Sequence, residues 1–456
     1  MSASRRTEPA RARSAAYEIL LRVERAGAWA SALLEQREAH LFDRRDAALL
    51  HESVLGVLRR RRVLDHAIRH SSGRGVEQLD VEVRTSLRLG AYALLFLDRV
   101  PAHAAVDDAV ELVKRGPRRA AASLVNAVLR KVAREGTAAL PAPPRKGDVE
   151  ALALYRSHPD WWVRRAVDRY GWEGATALLE RQNRPARTTL RAHRRRGDVE
   201  SLLETLRREG CEARPGSYAT AAVRVESGGV ARSSALREGA CWVQDEAAQL
   251  VGDMLAACPG AEVIDLCAAP GGKTLQLADG LDGSGTVVAV DRHHGRLRRL
   301  ARAASRVGAG EVLPLLADST REAPFRSRFS RVLLDAPCSG SGTQRRRPEI
   351  RWKLRESDLA MLAARQSRLL NRAAALTAPG GTLVYSVCST EPEEGEDVVR
   401  RFLESERAFR CADPTTLLPP PARELVGPDG FVRTSPLNDG IDGFFVAVLR
   451  RGSTVP

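Results

Sequence analysis

The sequence predicts a multidomain chain: an all-α N-terminal domain, a small α+β module, and a C-terminal α/β domain with a doubly wound parallel sheet. Three observations carry that expectation. Apolar residues recur at helical spacing from about Arg11 to Arg134, and no alternating stretch interrupts them. Proline and glycine then cluster between Gly136 and Gly147, the composition of a linker. From about Gly239 onward, short apolar runs that read as buried strands alternate with helical patterns, as βαβ units with right-handed crossovers require. A chain of 456 residues has room for two or three such domains.

In the N-terminal part the periodic sets are Ala15, Ile19, Leu20, Val23, then Leu49, Leu50, Val54, Leu58, then Val83, Leu87, Leu94. Two basic clusters, Arg59 to Arg62 and Lys114 to Arg119, decorate these helices. They read as solvated helix faces or as grips for phosphates, which need charge but no base-specific geometry. Residues 1–136 are expected to form this domain and 137–149 the linker. Residues 150–238 are expected to form the module, with helices around Trp161–Tyr170 and Val199–Arg208, strands at Thr188–Arg191 and Ala222–Val225, and a further basic patch at Arg191, Arg194, Arg195 and Arg196. Residues 239–456 are left for the α/β domain. Its strands are expected at Val263–Cys267, Thr286–Asp291, Val312–Asp318, Arg331–Asp335, Gly381–Val387 and Gly443–Leu449, with helices at Thr274–Leu281, Gly295–Val307 and Leu359–Thr377 between them.

Composition narrows the class. Hydrophobic content of 43% and charged content of 28% suit a soluble globular protein. No apolar run is long enough for a membrane span, and the Arg-rich stretch Met1–Arg13 lacks the apolar core of a signal peptide. The seven cysteines are odd in number and form no Cys-x-x-Cys pair, which points to a reduced, cytoplasmic setting and away from zinc. No metal and no membrane partner are expected, and the chain is expected to be a monomer. The net charge of +15 favours a polyanion, and nucleic acid is the usual one. Only five of the 72 basic residues are lysine, so a bias toward arginine inflates the charge without creating its excess over acid.

Asp265 to Thr274 joins the first strand of the α/β domain to its first helix. Pro270-Gly271-Gly272 lets backbone approach a ligand closely. Asp291 and Asp318 end the next two strands, where carboxylates suit the ribose and the base of a nucleoside cofactor. A dinucleotide is disfavoured because Gly-x-Gly-x-x-Gly is absent. Gly272-Lys273-Thr274 fits the end of a P-loop, but Cys267 stands where its first glycine belongs. S-adenosylmethionine fits better, since it needs a close backbone and strand-end carboxylates but no phosphate cradle.

Two thiols follow strands further on: Cys338 in Asp335-Ala-Pro-Cys-Ser339 and Cys388 in Tyr385-Ser-Val-Cys-Ser389. Thiols at strand tips beside a glycine loop suggest a sulfur nucleophile. With Asp265–Thr274, Arg345-Arg-Arg-Pro-Glu-Ile-Arg-Trp352 and Asp442-Gly-Phe-Phe445, these motifs resemble those of the RNA (cytosine-5)-methyltransferases, and within them the branch acting on small-subunit ribosomal RNA. The N-terminal part is similar to the NusB-type helical RNA-binding domain through Leu87–Tyr92, Val100–Ala105 and Leu124–Leu129.

The resemblance implies a Rossmann-like, S-adenosylmethionine-dependent domain and an RNA substrate. It implies that Cys388 attacks cytosine C6, that Cys338 assists product release, and that Asp335 bonds the N3/N4 edge. It assigns the cofactor to Cys267, Ala268, Ala269, Pro270, Gly271, Gly272, Lys273, Asp291, Asp318 and Asp335. The chemistry agrees: C5 of cytosine is a poor nucleophile until a thiolate adds to C6 and makes it enamine-like. Lys273 is a candidate for lowering a thiol pKa or orienting the base. Arg345, Arg346, Arg347 and Arg351 are candidates for steering the RNA backbone, and Trp352 for stacking on a base. Departures from the family pattern are His293-His294 and Ser319-Thr320. Transfer RNA as substrate, a non-catalytic assembly factor on the same fold, and DNA cytosine methylation are the competing readings.

Overall fold

The computed structural model describes residues 11–41, 44–321, 325, 328–438 and 440–453; most of the basic N-terminal lead lies outside them. The chain divides into two compact units, one running to Pro185 with Gln344–Leu354 added, the other holding Ala186–Thr343 and Arg355 onward.

The first unit is helical: α1 (Arg11–Ala26), α2 (Ala30–Leu41), α3 (Arg44–Ser72), α4 (Val81–Phe96), α5 (Ala102–Lys114), α6 (Ala122–Glu135), α7 (Val149–Arg156) and α8 (Asp160–Gln182). Its core takes one stripe from each of several helices, Ile19 and Leu20 from α1, Val54 and Leu58 from α3, Leu87 from α4 and Val125 with Leu129 from α6. The helix expected at Trp161–Tyr170 continues to Gln182 through a non-helical Gly171 at φ 68°. The cluster Arg59–Arg62 is not a solvated phosphate grip. Arg59 is 3% exposed, Arg60 lies over the Phe96 ring, Arg61 pairs with Glu24 at 3.2 Å and Arg62 with Asp160 at 2.7 Å. Lys114, Arg115, Arg118 and Arg119, by contrast, are exposed.

The second unit begins with β1 (Thr188–Ala192), α9 (Val199–Arg208), β2 (Glu212–Pro215), β3 (Ala222–Ser227), α10 (Ser234–Arg237) and β4 (Cys241–Val243). These strands form an antiparallel sheet in the order β2-β3-β1-β4. Strands β2 and β4 leave no trace in the apolar pattern, because one is mostly exposed and the other spans only three residues. Arg191 is buried here against Asp253 and Gln249, so the expected patch is left to Arg194, Arg195 and Arg196.

The α/β part follows: α11 (Glu246–Leu255), β5 (Glu262–Asp265), α12 (Gly272–Leu281), β6 (Thr286–Asp291), α13 (His294–Val307), β7 (Val312–Leu316), β8 (Phe329–Asp335), α14 (Ile350–Lys353, in the first unit), α15 (Asp358–Leu376), β9 (Thr377–Val387), α16 (Glu396–Ser405), β10 (Phe409–Cys411), β11 (Val432–Arg433) and β12 (Phe445–Arg451). The sheet runs β10-β12-β9-β8-β5-β6-β7, with β11 on β12. Strands β5 to β9 are parallel. The centres of β8 and β9, Val332-Leu-Leu334 and Leu383-Val-Tyr385, are apolar and buried, as parallel strands covered on both faces require, whereas the edge strand β7 is largely exposed. The last strand corrects the all-parallel expectation: β12 enters antiparallel to β9, and β10 antiparallel to β12. An antiparallel neighbour needs no crossover helix, so chain arriving without one can add at this edge.

The arginine segment Gln344–Leu354 packs within the first unit. Arg351 is fully buried and donates to Asn183 Oδ1 at 2.7 Å, the Gln182 carbonyl at 2.6 Å and Gln344 Oε1 at 2.9 Å. Trp352 Nε1 donates to the Leu58 carbonyl at 2.7 Å. Arg345 is buried too. Neither Arg345 nor Arg351 is placed to steer RNA, and Trp352 is not free to stack; of the expected residues only Arg347 is exposed.

Candidate active site

The chain leaves β5 toward β6 and β7 and then returns to pair β8 on the other side of β5, so the strand order reverses between β5 and β8. Ligands of open α/β sheets bind in the crevice at such a reversal, beyond the strand carboxyl ends. Asp265 ends β5 and Asp335 ends β8 there.

The loop from Leu266 to Gly271 leads into the N-terminus of α12. Gly271 sits at φ 116°, and a Cβ on it would meet Leu300 at 2.9 Å, so only glycine makes this turn without strain. Asp265 is buried; its Oδ2 accepts from Thr274 Oγ1 at 2.8 Å and its Oδ1 has no partner. Burial pushes this carboxyl up to about 7, against the pull of the Thr274 bond. Asp291 accepts from His293 N at 2.7 Å and from Ala269 N at 3.3 Å. Asp318 accepts from the Thr320 amide at 3.0 Å and hydroxyl at 2.7 Å, which hold it below the usual carboxylate range. Ser319 Oγ donates to the Leu266 carbonyl at 2.6 Å. The unexpected residues His293, Ser319 and Thr320 therefore brace the three strand-end loops. Cys267 lies in this loop with its thiol pushed up by burial and by the neighbouring carboxylates Asp265, Asp335 and Asp291, an environment opposed to a reactive thiolate.

Strands β8 and β9 are parallel neighbours with Asp335 opposite Ser386, so the turns that follow lie side by side. This register brings Cys338 and Cys388 together, Sγ to Sγ at 3.3 Å, across 50 residues of sequence. The loops interlock through backbone: Gly342 N donates to the Cys388 carbonyl at 3.1 Å, and Gly443 N to the Gly342 carbonyl at 2.9 Å. Lys273 Nζ donates to Asp335 Oδ2 at 2.7 Å, and Ser386 Oγ to Asp335 Oδ1 at 2.7 Å. Burial works to lower the Lys273 pKa, but Asp335, with help from Cys388 and Asp265, outweighs it and holds the ammonium above its usual value. Cys338 is pushed well above the ordinary thiol range, first by its bond with Cys388, then by burial, then by the charges of Cys388 and Glu394.

Sequence reasoning singled out both thiols, Lys273 and Asp335, but missed the buried Glu394 beneath them. Glu394 accepts from Ser339 and Ser389, the residues that directly follow each cysteine. The only signal was a serine repeated after both thiols, which has no reading before the loops are seen to meet.

Residues 253–450 match the family described as 16S rRNA methyltransferase RsmB/F. Residues 10–134 match the NusB family, and 158–231 the Methyltr_RsmF/B-like, ferredoxin-like domain. A Bacillus subtilis (strain 168) relative, named probable ribosomal RNA small subunit methyltransferase B, is 32% identical over 446 residues, covering 96% of this chain and 98% of that one. The chain belongs to the 16S rRNA methyltransferase RsmB/F family. A second relative, ribosomal RNA small subunit methyltransferase B of Thermus thermophilus, is 37% identical over 96% of this chain and 97% of its own. The crystal structure of PH0851 superposes with a TM-score of 0.82 at 26% identity, over 98% of this chain and 99% of that one. The RsmB/F segment holds both thiols, Lys273, Asp335 and the three strand-end loops. Among the described residues, no cluster of His, Cys, Asp and Glu could hold a metal ion, and no helix is long and apolar enough to cross a membrane.

Proposed function

We propose that this chain methylates C5 of cytosine in small-subunit ribosomal RNA, with S-adenosylmethionine as methyl donor, through a transient bond from Cys388 to C6. The observation that carries the proposal is the pair of thiols at 3.3 Å, on adjacent strand tips, with the Lys273–Asp335 pair beside them at the reversal of strand order. The names and near-complete coverage of the relatives support the RNA class.

S-adenosylmethionine, when bound, supplies an electrophilic methyl group. The residues present fit it: a buried acceptor without a partner on Asp265, a loop that tolerates no side chain at Gly271, Asp291 at the end of β6, and Asp318 in the loop just past β7, which ends at Leu316 rather than at the expected Asp318. Residues Cys267 to Lys273 would approach it by backbone, Asp291 would take the ribose hydroxyls, and Asp318 would face the base. The chain's own groups then do the following. Cys388 adds to C6, and the electron density gained at C5 makes that carbon nucleophilic. Asp335, held by Lys273 and Ser386, faces the N3/N4 edge and accepts from the N4 amino group and, once N3 takes the proton given up by the Cys388 thiol, from N3–H, an acceptor matched to the protonated adduct. After methylation a base takes the C5 proton, the electrons of that C–H bond close the C5–C6 double bond as the C6–S bond breaks, Cys388 departs as thiolate, and Cys338 assists that release.

Residues 1–136 and 150–238 are proposed to bind the RNA around the target. A cytosine in a loop or bulge is the favoured target, since extruding it costs only a few kcal/mol and less when it is unpaired.

The test is to incubate Cys338→Ala and Cys388→Ala separately with S-adenosylmethionine and undermodified ribosomal RNA, then run denaturing gels. A shifted protein–RNA band with Cys338→Ala alone is expected. A band with Cys388→Ala alone would reverse the two roles. No band with either, and no methyl transfer by the unaltered protein, would overturn the proposal in favour of an assembly factor.

A further inference from the structure

We infer that Glu394 is the positioning residue for the two thiols, a buried clamp that takes one serine from each cysteine loop and holds the loops in register. The inference rests on the thiol assignment above.

Glu394 lies between the tip of β9 and the start of α16 and is fully buried. Four donors converge on its carboxylate. Oε1 accepts from Ser339 N at 2.8 Å and Gln366 Nε2 at 2.9 Å. Oε2 accepts from Ser339 Oγ at 2.5 Å and Ser389 Oγ at 2.5 Å. The Glu394 carbonyl accepts from Tyr385 OH at 2.6 Å. One residue is thereby anchored to the loop after β8, the tip of β9, the body of β9 and helix α15. Gln366 also donates to the Pro337 carbonyl at 3.1 Å, which ties the residue before Cys338 into the same cluster. Ser341 adds a link between the loops, 3.0 Å from Ser389 Oγ and accepting from Thr390 N at 2.8 Å.

A buried carboxylate is costly unless its oxygens are matched by donors, and here they are matched by donors from both cysteine loops. Glutamine is a poorer match. Its amide nitrogen would face either the Ser339 N–H, which can only donate, or the two serine hydroxyls, which would have to turn and accept, so the set of four donors is broken. A hydrogen-bonded serine beside each cysteine sets where each Sγ lies, and reaction rate depends steeply on such placement. Glu394 also places negative charge beside Cys338, while the Lys273 ammonium attracts Cys388. The other titratable groups interacting with Cys338 are Cys388 and Tyr385. The two thiols are thus electrostatically unequal as well as adjacent: Cys338 is pushed up by its bond with Cys388 and by burial, with Glu394 adding a smaller push, while Cys388 lies beside the Lys273 cation.

The test is Glu394→Gln in the full-length protein, with Ser389→Ala as a milder variant that opens a single link and is less prone to unfold. Three quantities are read: kcat and KM on undermodified ribosomal RNA, affinity for S-adenosylmethionine, and the rate of adduct formation in a Cys338→Ala background. The expected result is a fall in kcat of about tenfold to a hundredfold for Glu394→Gln. Ser389→Ala should fall less, the adduct should form more slowly by a similar factor, and KM and cofactor affinity should not change. Unchanged kcat per folded molecule, or a loss shared equally by cofactor affinity, would overturn the clamp and leave Glu394 a core residue. Failure of the Cys338→Ala protein alone to form adduct would instead overturn the thiol assignment, and kcat with both cysteines present would still decide the clamp.

Discussion

Asp265 is a residue whose titration is set by its surroundings. Its folded-state pKa is raised from 3.8 to about 7 by burial. Between those values the native chain keeps a proton that the unfolded chain has released, so stability contributed at low pH is lost as pH rises through that window. Asp265→Asn is neutral at every pH and escapes the loss. The expected outcome is a melting temperature that gains on the wild type from pH 5 to pH 8; a constant offset across that range would show that Asp265 does not titrate there. Lys273 is the second test among single residues. Its ammonium bonds Asp335 at 2.7 Å and is the cation that attracts Cys388. Lys273→Met should lower kcat by about a hundredfold or more, the scale of losing one preorganised charged donor. Alkylation of Cys388 at neutral pH should slow in parallel, and alkylation at an unchanged rate would confine Lys273 to holding Asp335.

Among the elements, the thiol loops depend on a backbone crossing. A Cβ on Gly342 would stand 1.9 Å from the Gly443 carbonyl oxygen, and backbone on both sides leaves nothing to yield. Gly342→Ala should destabilise the second unit by about 1–3 kcal/mol and separate the thiols, detected as a lower denaturant midpoint and an absent adduct. The helix α9 offers a milder case. Asp198 and Ser201 form a reciprocal capping box at its start. Asp198→Ala should lower the melting temperature slightly and leave kcat intact, as the loss of a cap remote from the chemistry would. In the first unit Arg351 donates to five oxygens from full burial. Removing it strands those acceptors, so the segment Gln344–Leu354 is held by hydrogen bonding as much as by apolar packing.

Across the full chain the net charge of +15 does not translate into a uniformly basic surface. Arg59, Arg88, Arg191, Arg224, Arg345 and Arg351 are buried. Lys114, Arg115, Arg118 and Arg119 remain exposed, though Arg115 pairs with Glu111 and Arg118 with Asp80. Exposed pairs of this kind are worth little and yield readily to phosphate. Neutralising these four residues together should weaken RNA binding and flatten its salt dependence, by about 0.7 in log–log slope for each single-strand phosphate that is no longer neutralised. Binding measured between low and high salt checks this, and an unchanged slope would place the RNA elsewhere.

The class of each part was already written along the chain. Hydrophobic periodicity depends only on sequence neighbours, so the helices α1, α3, α4 and α9 and the strands β5, β6 and β8 were legible from it. So were Cys338, Cys388, Lys273, Asp335 and the Asp265–Thr274 loop, because each follows a strand run at whose tip this fold class gathers ligands and chemistry. Relations between distant segments were not legible. The antiparallel entry of β12, the 3.3 Å meeting of the thiols and the clamp at Glu394 depend on sheet order and register. The fate of arginine was settled the same way. Arg347 and Arg351 look alike in sequence, yet one is exposed and the other fully buried, because only the packed helices determine which carbonyls lie within reach of a guanidinium.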